Sequence, residues 1–281
     1  MHGFPDRVLT MLLLAMLCLS SCWRAELQAS PLEQSTCGFK EPLVFWLWSS
    51  AAGEPDASRL TAAANIEDVS VTTVDGRTLR GYMLRATQAP DTPERTTGYL
   101  LVVQGNAMLA DQLITHFSPF AARGYDVYIF DYRGYGRSEG KRRLKAILSD
   151  YRQIIHHLDA LPYQQRTFYG MSFGGVVLLD ALRNQTGHMI VAIDSTPSRL
   201  SGYGCPAAHD PVSNLPRDSS NLLVIAGARD HVVKPAASRE LLERAEAHGA
   251  TVIKDPAWGH PFMDSHTPRR LETVRRFLLQ E

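Results

Sequence analysis

The hydrophobic pattern of the chain has a two-residue period where the folded region is expected to begin, near residue 66. Apolar and polar side chains alternate over 69–74. A second stretch that reads as a strand follows at 78–84, and Asp75-Gly76 lies between the two. Alternation is typical of strands with one buried face, and Asp-Gly is a favoured hairpin turn. We therefore expect an antiparallel hairpin here.

The pattern changes after a proline-containing linker at 89–93. Short, continuously apolar runs now alternate with longer stretches of helical period, as in a parallel sheet covered by helices on both faces. The expected strands are 99–103, 126–130, 189–193, 222–226 and 252–253, and the expected helices are about 108–123, 144–161, 236–247 and 268–279. The predicted fold class is α/β, a doubly wound, mostly parallel sheet with an antiparallel N-terminal hairpin.

A serine lies where one apolar strand is expected to pass directly into a buried helix. Gly170-Met171-Ser172-Phe173-Gly174 forms a G-x-S-x-G pattern between apolar runs on either side. In such a tight turn the serine is held out at the carboxyl edge of the sheet, and the flanking glycines let strand and helix approach. The pattern favours a nucleophilic serine. An ordinary glycine-serine turn in an α/β protein is the alternative.

Five motifs follow one another in an order that resembles the α/β-hydrolase superfamily. They are the hairpin, the Gln-Gly-Asn loop at 104–106, the glycine-containing stretch at 131–140, the elbow serine, and a late Asp followed by a His. From about residue 67 to its end, the chain is most similar to small serine hydrolases of esterase or peptidase type with a His-Gly-Asn-type oxyanion loop. The resemblance implies an α/β-hydrolase fold with a minimal lid, because 195–221 has no helical period long enough for a cap domain.

The resemblance implies that Ser172, Asp230 and His260 form a catalytic triad, and their order along the chain is the one expected of this fold. A serine hydroxyl needs a neutral imidazole to take its proton, and the imidazole needs a buried carboxylate to fix its tautomer. Asp230 follows the strand predicted at 222–226, and His260 lies in the loop after the last strand. His266 is a weaker candidate for the base.

The resemblance also implies an oxyanion hole made of two backbone N–H groups. One belongs to Phe173, directly after the nucleophile, and the other to Asn106. Ala107 is the alternative second donor, because the register of this loop is open by one residue. Gln104 stands where the similar hydrolases carry a histidine, and we expect activity to survive because that side chain supports the loop.

Composition excludes some classes of function. The chain has 281 residues, 44% of them hydrophobic, with 29 basic and 29 acidic side chains, so it has no electrostatic footprint for nucleic acid. No phosphate loop, dinucleotide fingerprint or metal-ligand cluster is visible in the sequence, so no cofactor or metal is expected.

The first 21 residues have the features of a bacterial export signal. Arg7 precedes the apolar run 8–17, which is too short for a comfortable membrane span, and Leu19-Ser20-Ser21-Cys22 resembles a lipobox. The sequence thus predicts a lipoprotein signal peptide at 1–21, lipidation of Cys22, and a bacterial membrane lipoprotein facing the periplasm or cell exterior. A plain secretory signal cleaved near Ser21 is the alternative.

Residues 22–65 are interpreted as a tether and N-terminal segment, and residues 66–281 as the hydrolase domain. In an exported protein Cys37 and Cys205 are expected to form a disulfide, with two free, buried thiols as the alternative. The aromatic run at 42–48 is expected to pack on the domain as a helix or strand. A membrane-interface belt near the anchor is the other interpretation.

These observations predict an exported serine hydrolase that cleaves carboxylic ester or thioester bonds of a small-molecule acyl substrate through an acyl-enzyme. A serine peptidase of the same fold and a non-catalytic lipoprotein binding module are the alternatives. The sequence does not fix the acyl group, the leaving group or the oligomeric state.

Overall fold

The computed structural model describes residues 30–61, 65–87 and 98–281. The predicted signal peptide, Cys22 and the linker at 89–93 lie outside these residues. The strands are β1 (Ile66–Thr72), β2 (Thr78–Leu84), β3 (Gly98–Val103), β4 (Tyr125–Phe130), β5 (Gln165–Met171), β6 (Ile190–Asp194), β7 (Leu222–Gly227) and β8 (Thr251–Asp255). The α-helices are α1 (Glu41–Ala51), α2 (Ala110–Leu113), α3 (Ser118–Ala121), α4 (Leu144–Asp159), α5 (Phe173–Leu182), α6 (Pro235–Ala247) and α7 (Thr267–Leu279).

The strands form one eight-stranded sheet in the order β1-β2-β4-β3-β5-β6-β7-β8. β1 pairs with β2 and β2 with β4 in antiparallel fashion, and all the other pairs are parallel. Every residue of β3, β4, β6 and β7 is buried, as their continuously apolar sequences require. The predicted α/β class and the antiparallel N-terminal hairpin are therefore confirmed.

Helices cover both faces of this sheet. On one face the core includes side chains from α4, α5 and α6, such as Ile147, Val176 and Leu241. On the other face it includes Phe117 and, from α7, Val274. The parallel strands therefore end at an edge that has helices on either side, which is where ligands bind in open α/β sheets.

The helix predicted at about 108–123 is wrong as a single element. The structure divides it into α2, a 3₁₀ turn at Ile114–Phe117, and α3. Pro119 lies in the first turn of α3. A proline has no N–H to donate to the preceding turn, so it is tolerated at a helix start and not in a helix interior.

Residues 30–61 pack onto the sheet domain. The carboxylate of Glu33, 4% exposed, bonds Arg77, Arg133 and the backbone N–H of Lys141. Glu41 accepts hydrogen bonds from the N–H groups of Thr36 and Cys37 with one oxygen and from that of Leu144, at the start of α4, with the other. Cys37 is disulfide-bonded to Cys205 in the structure. The segment is thus tied to the domain by buried charges and a covalent bond.

The aromatic run at 42–48 forms most of helix α1. Phe45 is buried against the domain, whereas Leu43, Trp46 and Leu47 are exposed. Among the described residues, no helix has the length and apolar character needed to span a membrane.

Candidate active site

Ser172 lies at the junction of β5 and α5 with φ 54° and ψ −118°, a strained conformation for a residue with a side chain. The tightness of the turn explains the flanking glycines. A Cβ on Gly170 would lie 2.7 Å from the carbonyl oxygen of Gly174, and a Cβ on Gly174 would lie 2.0 Å from that of Val103. Only glycine fits at these two positions, so the sequence pattern has a steric origin.

Two neighbouring segments fix the backbone around Ser172. Its N–H donates to the carbonyl of Asp194, the last residue of β6, at 2.7 Å. A Cβ on Gly105 would lie 3.5 Å from the Cβ of Ser172, so the loop after β3 passes directly beside the serine. The half-buried Ser172 therefore follows β5 and lies between the carboxyl ends of β3 and β6.

Asp230 and His260 form a hydrogen-bonded pair at the same edge of the sheet. Asp230 Oδ2 and His260 Nδ1 are 2.8 Å apart, and the two side chains are 1% and 10% exposed. Asp230 Oδ1 accepts from the N–H groups of Val232 and Val233, both at 2.8 Å. Burial opposes the ionisation of Asp230, but the hydrogen bond and charge of His260, with hydrogen bonds from the Ser195 hydroxyl and the Val233 N–H, hold the pKa of Asp230 below its ordinary value.

The loop that carries His260 packs on the end of β7. A Cβ on Gly227 would lie 2.2 Å from the carbonyl oxygen of Trp258, and the Arg229 N–H donates to that same carbonyl at 2.9 Å. Because Asp230 follows this turn directly, the acid and the histidine loop share one rigid support.

A buried arginine joins this loop to the nucleophile strand. Arg270, fully buried in α7, donates from Nη1 to Asp194 Oδ1 at 2.6 Å and from Nη2 to the Gly259 carbonyl at 2.7 Å. Its guanidinium lies 4.6 Å from the centre of the Trp258 ring. The Asp194 carbonyl holds the N–H of Ser172, so Arg270 connects the residue before His260 with the residue that positions Ser172.

Sequence reasoning missed both Asp194 and Arg270. A signal was present, because Arg270, Val274 and Leu278 recur at intervals of four on α7, and all three are buried. A cation at such an apolar helix position needs a buried anion. The sequence did not indicate which carboxylate that would be.

The three residues predicted as a triad lie at the carboxyl ends of β5, β7 and β8. Asp230 and His260 are in contact, as described. In the part of the chain that the structure covers, the Ser172 hydroxyl makes no hydrogen bond. Catalytic hydrogen bonds are often long without substrate and tighten when it binds.

The loop after β3 is held by polar contacts on its far side. Gln104 is fully buried, and its Nε2 donates to the Phe130 carbonyl at 2.9 Å, so the side chain supports the loop. Asn106 Oδ1 accepts from the Tyr135 hydroxyl at 2.6 Å. Ala107 has a φ of 61°, in the left-handed region. The Phe173 N–H lies in the first turn of α5, whose dipole favours negative charge there.

Aromatic side chains from the N-terminal segment contact Phe173. The rings of Phe45 and Trp48 lie 5.7 and 6.5 Å from that of Phe173, centre to centre. Tyr132, from the stretch after β4, lies 5.5 Å from it on another side. Phe45 is buried, whereas Trp48 is 40% exposed beside the site. Helix α1 therefore forms one wall next to the residue after Ser172.

The other conspicuous residues of the sequence lie outside this arrangement. Arg133 is fully buried and pairs with Asp75 and Asp150, which fits an architectural role. His266 precedes α7, where its N–H is held by Asp264. The described residues contain no group of three or more His, Cys, Asp or Glu side chains placed to hold a metal ion.

A family model described as serine aminopeptidase, S33, matches residues 94–203. The chain is 28% identical to the uncharacterized protein YfhR of Escherichia coli K12 over 238 residues, which are 76% of this chain and 80% of that protein.

Two solved structures are similar in fold. The esterase Pf2001 of Pyrococcus furiosus has a TM-score of 0.61 at 20% identity, covering 81% of this chain and 96% of the esterase. A puromycin-hydrolyzing peptidase of Mycobacterium tuberculosis has a TM-score of 0.60 at 16% identity, covering 80% of this chain and 40% of the peptidase. The chain has the α/β-hydrolase fold.

Proposed function

We propose that this chain is a serine hydrolase that cleaves carboxylic ester or thioester bonds through an acyl-enzyme. The observation that carries the proposal is the strained Ser172 at the sheet edge where Asp230 and His260 form a buried pair. A strained backbone at this position costs free energy and persists because the surrounding structure holds it, which is common at active sites. The family model and the esterase and peptidase neighbours support the same class of reaction.

In the proposed mechanism the Ser172 hydroxyl attacks the acyl carbonyl while His260 takes its proton through Nε2. Asp230 binds Nδ1, fixes the tautomer that leaves Nε2 free, and stabilises the imidazolium that forms. His260 then protonates the leaving alcohol or thiol, and an acyl-serine remains. Water, deprotonated by His260, releases the acid and restores the serine.

The tetrahedral intermediates carry negative charge on the former carbonyl oxygen. We assign its stabilisation to the backbone N–H of Phe173, at the amino end of α5, and to that of Asn106 in the loop beside Ser172, with Ala107 as the alternative second donor. Gly105 lacks a side chain where the loop faces Ser172, and this leaves room for a substrate carbonyl.

A peptidase is the second candidate. The description of the family model as a serine aminopeptidase and the similarity to a puromycin-hydrolyzing peptidase favour it. The described part of 195–221 contains only three short 3₁₀ turns, so no helical cap there limits the substrate by size. A panel of matched esters, thioesters and peptides with the same acyl group separates the two candidates.

We also propose that the protein is exported and anchored in a bacterial membrane through a lipid on Cys22. The lipobox-like Leu19-Ser20-Ser21-Cys22 supports this. The disulfide between Cys37 and Cys205 fits an oxidising compartment. Labelled palmitate should be incorporated by the wild-type chain and not by Cys22→Ala. A wild-type chain that takes up no palmitate contradicts the anchor.

The decisive experiment for the hydrolase is labelling with a fluorophosphonate, which reacts with activated serine hydroxyls. We expect the wild-type chain to be labelled at Ser172, as located by peptide mass spectrometry, and Ser172→Ala to be unlabelled while remaining folded. Ser195 is the internal control: it is buried, also has a positive φ and directly follows the neighbouring strand β6, but it is not part of a G-x-S-x-G turn. The peptide that contains Ser195 should therefore stay unlabelled. If the folded wild-type protein resists the probe, the non-catalytic binding module becomes the better interpretation.

A further inference from the structure

Helix α1 has two different faces. Glu41, Phe45 and Trp48 recur at intervals of four and three and face the domain, whereas Leu43, Trp46 and Leu47 share the opposite side. The outward apolar side chains are far from buried, with exposed fractions of 58% for Leu43, 53% for Trp46, 52% for Leu47 and, just before the helix, 88% for Phe39. We call these four residues the α1 patch. Contiguous exposed apolar groups of this kind mark interaction surfaces.

The α1 patch is held in place and is not part of a loose terminus. The buried Glu41 carboxylate binds backbone N–H groups on both sides of the junction, at Cys37 and at Leu144. The disulfide from Cys37 to Cys205 fixes the chain just before the patch. The exposure of these side chains therefore belongs to the folded protein.

Charge around the α1 patch favours an anionic partner. Within α1 the only carboxylate is Glu41, which is buried, and Lys40, just before the helix, is exposed; the nearest exposed carboxylate along the chain is Glu54, beyond the C-terminal end of α1. Lys141 is exposed next to the N-terminal segment, since its N–H binds Glu33. The guanidinium of Arg142 donates to Ser49 on α1 itself. The patch is thus an aromatic and aliphatic surface with a basic rim.

The position of the patch along the chain indicates which partner fits. Seven residues, 23–29, separate Cys22 from Ser30, where the described chain begins. Extended chain spans at most about 3.5 Å per residue, so a lipid on Cys22 keeps Ser30, where the described N-terminal segment begins, within roughly 30 Å of the bilayer surface. Tryptophan and lysine side chains suit the headgroup region, where ring and stem contact acyl chains and the polar end stays in water.

We propose that the α1 patch docks on the surface of a bilayer containing anionic lipid. Phe39, Leu43, Trp46 and Leu47 enter the headgroup–acyl boundary, and the basic rim contacts lipid phosphates. The inference rests on the proposed export and anchoring. Docking through the α1 patch leaves Trp48 and Phe173 on the domain side of α1, one helix away from the bilayer.

Quenching of tryptophan fluorescence by brominated lipid tests the docking on the full chain. Trp23 lies next to Cys22 and would report on the anchor, so the parent chain carries Trp23→Phe and keeps Trp46, Trp48 and Trp258. It is reconstituted in vesicles of phosphatidylcholine and phosphatidylglycerol, with and without bromine on the acyl chains. We expect brominated lipid to lower its emission by about a quarter or more, because Trp46 is in contact with lipid while Trp258 is buried.

The paired substitution Leu43→Glu, Leu47→Glu should abolish this quenching, since it places two negative charges on the docking face and leaves Trp46 as reporter. Val74→Glu is the matched control, because Val74 is 83% exposed at the β1–β2 turn and should leave the quenching unchanged. Both variants should retain fluorophosphonate labelling of Ser172, which shows that they are folded.

Equal emission in brominated and plain vesicles overturns the proposal, and so does quenching that survives the paired substitution. Concentration-dependent dimerisation that the paired substitution abolishes, without quenching, makes a second copy the occupant. If the chain takes up no palmitate, it is added to preformed vesicles and the same quenching is expected. Quenching without fluorophosphonate labelling supports the docking and contradicts the hydrolase. Labelling without quenching supports the hydrolase and contradicts the docking.

Discussion

The contacts on the two sides of Ser172 differ in kind. On the side of His260 the contacts are charged and polar: the Asp230–His260 pair, and Arg270 bonded to both Asp194 and the Gly259 carbonyl. On the side of Phe173 the contacts are aromatic and come from helix α1. Charge-assisted hydrogen bonds are short and geometrically specific, whereas aromatic contacts define a surface that different groups can share. For the proposed hydrolase we therefore expect the polar side to set the rate and the aromatic side to set which acyl group is accepted.

The sharpest way to break the polar side is to remove the nucleophile or the base. Ser172→Ala and His260→Ala should each lower turnover of an activated ester by about 10⁴- to 10⁶-fold, because the hydroxyl and imidazole act as one unit. For the same reason the double variant should be no slower than either single variant. Steady-state kinetics at several enzyme concentrations measure this. Effects that multiply would mean that the two residues act independently and that no triad operates.

Arg270→Met should have the next largest effect on rate. It removes the link between Asp194 and the carbonyl before His260, and small displacements of a base can lower rates about 100-fold. We expect kcat to fall by about 10- to 100-fold with KM nearly unchanged, and Arg270→Lys to recover part of the loss, since a charge without the planar fork restores only one of the two bonds.

Arg275→Met is the control for Arg270. Arg275 is also buried on α7, but it pairs with Glu272 and Glu281, away from the site. It should lower the unfolding midpoint in urea without changing kcat. If Arg270→Met loses stability and keeps its kcat, Arg270 supports the fold and does not position His260.

Strands and the elbow were predictable because their signals are local. The fully buried strands have continuously apolar sequences, and the glycines at 170 and 174 are demanded by backbone contacts of 2.0–2.7 Å. These features depend on neighbours in sequence or on the rules of parallel sheets. The assignment of Ser172, Asp230 and His260 came from the resemblance to α/β-hydrolases, and the structure brings Asp230 and His260 into contact.

The partners of distant residues were not predictable from one sequence. Arg270 and Asp194 are 76 positions apart, and no local pattern selects one buried carboxylate over another. The aromatic run at 42–48 was expected to pack on the domain, but no local pattern indicated that Phe45 would contact Phe173. For residues 42–48 the sequence left two interpretations open, packing on the domain or a membrane-interface belt. The structure gives α1 one packed face and one exposed face.

The disulfide holds the aromatic side together, so its removal should disturb that side selectively. Cys205→Ser opens a closed loop of 168 residues and should lower the free energy of unfolding by about 2–4 kcal/mol. Limited proteolysis should then cut first within residues 30–52. Mass spectrometry after alkylation, with and without reduction, provides the check. Two alkylated thiols in the unreduced native protein would show that the bond is absent.

Trp48→Ala tests whether the aromatic side of Ser172 selects the acyl group of the substrate. Trp48 is partly exposed beside Phe173, so it offers apolar surface to an acyl chain without touching the reacting atoms. We expect KM for an octanoyl ester to rise by about 3- to 10-fold, since an apolar contact of this size contributes about 1 kcal/mol, and KM for an acetyl ester to change little. Val74→Ala is the exposed control. An equal loss for both esters would place Trp48 in support of the catalytic backbone.

Acid unfolding separates the two sides by their charge. Hydrogen bonds and the charge of His260, acting against burial, hold the pKa of Asp230 below its ordinary value, so its ionised form is favoured in the folded state. The resulting stabilisation is fully present above the ordinary pKa of about 4 and is lost as pH falls through the lowered pKa of the folded protein. The difference in unfolding free energy between wild type and Asp230→Asn, measured in urea, should therefore be largest at neutral pH and shrink below about pH 4. The same measurement on Phe45→Leu should give a difference that does not change with pH, because Phe45 carries no charge and contacts the aromatic rings of Trp48 and Phe173. A constant difference for Asp230→Asn would mean that the carboxylate adds shape and hydrogen bonding to the site but no net charge stabilisation.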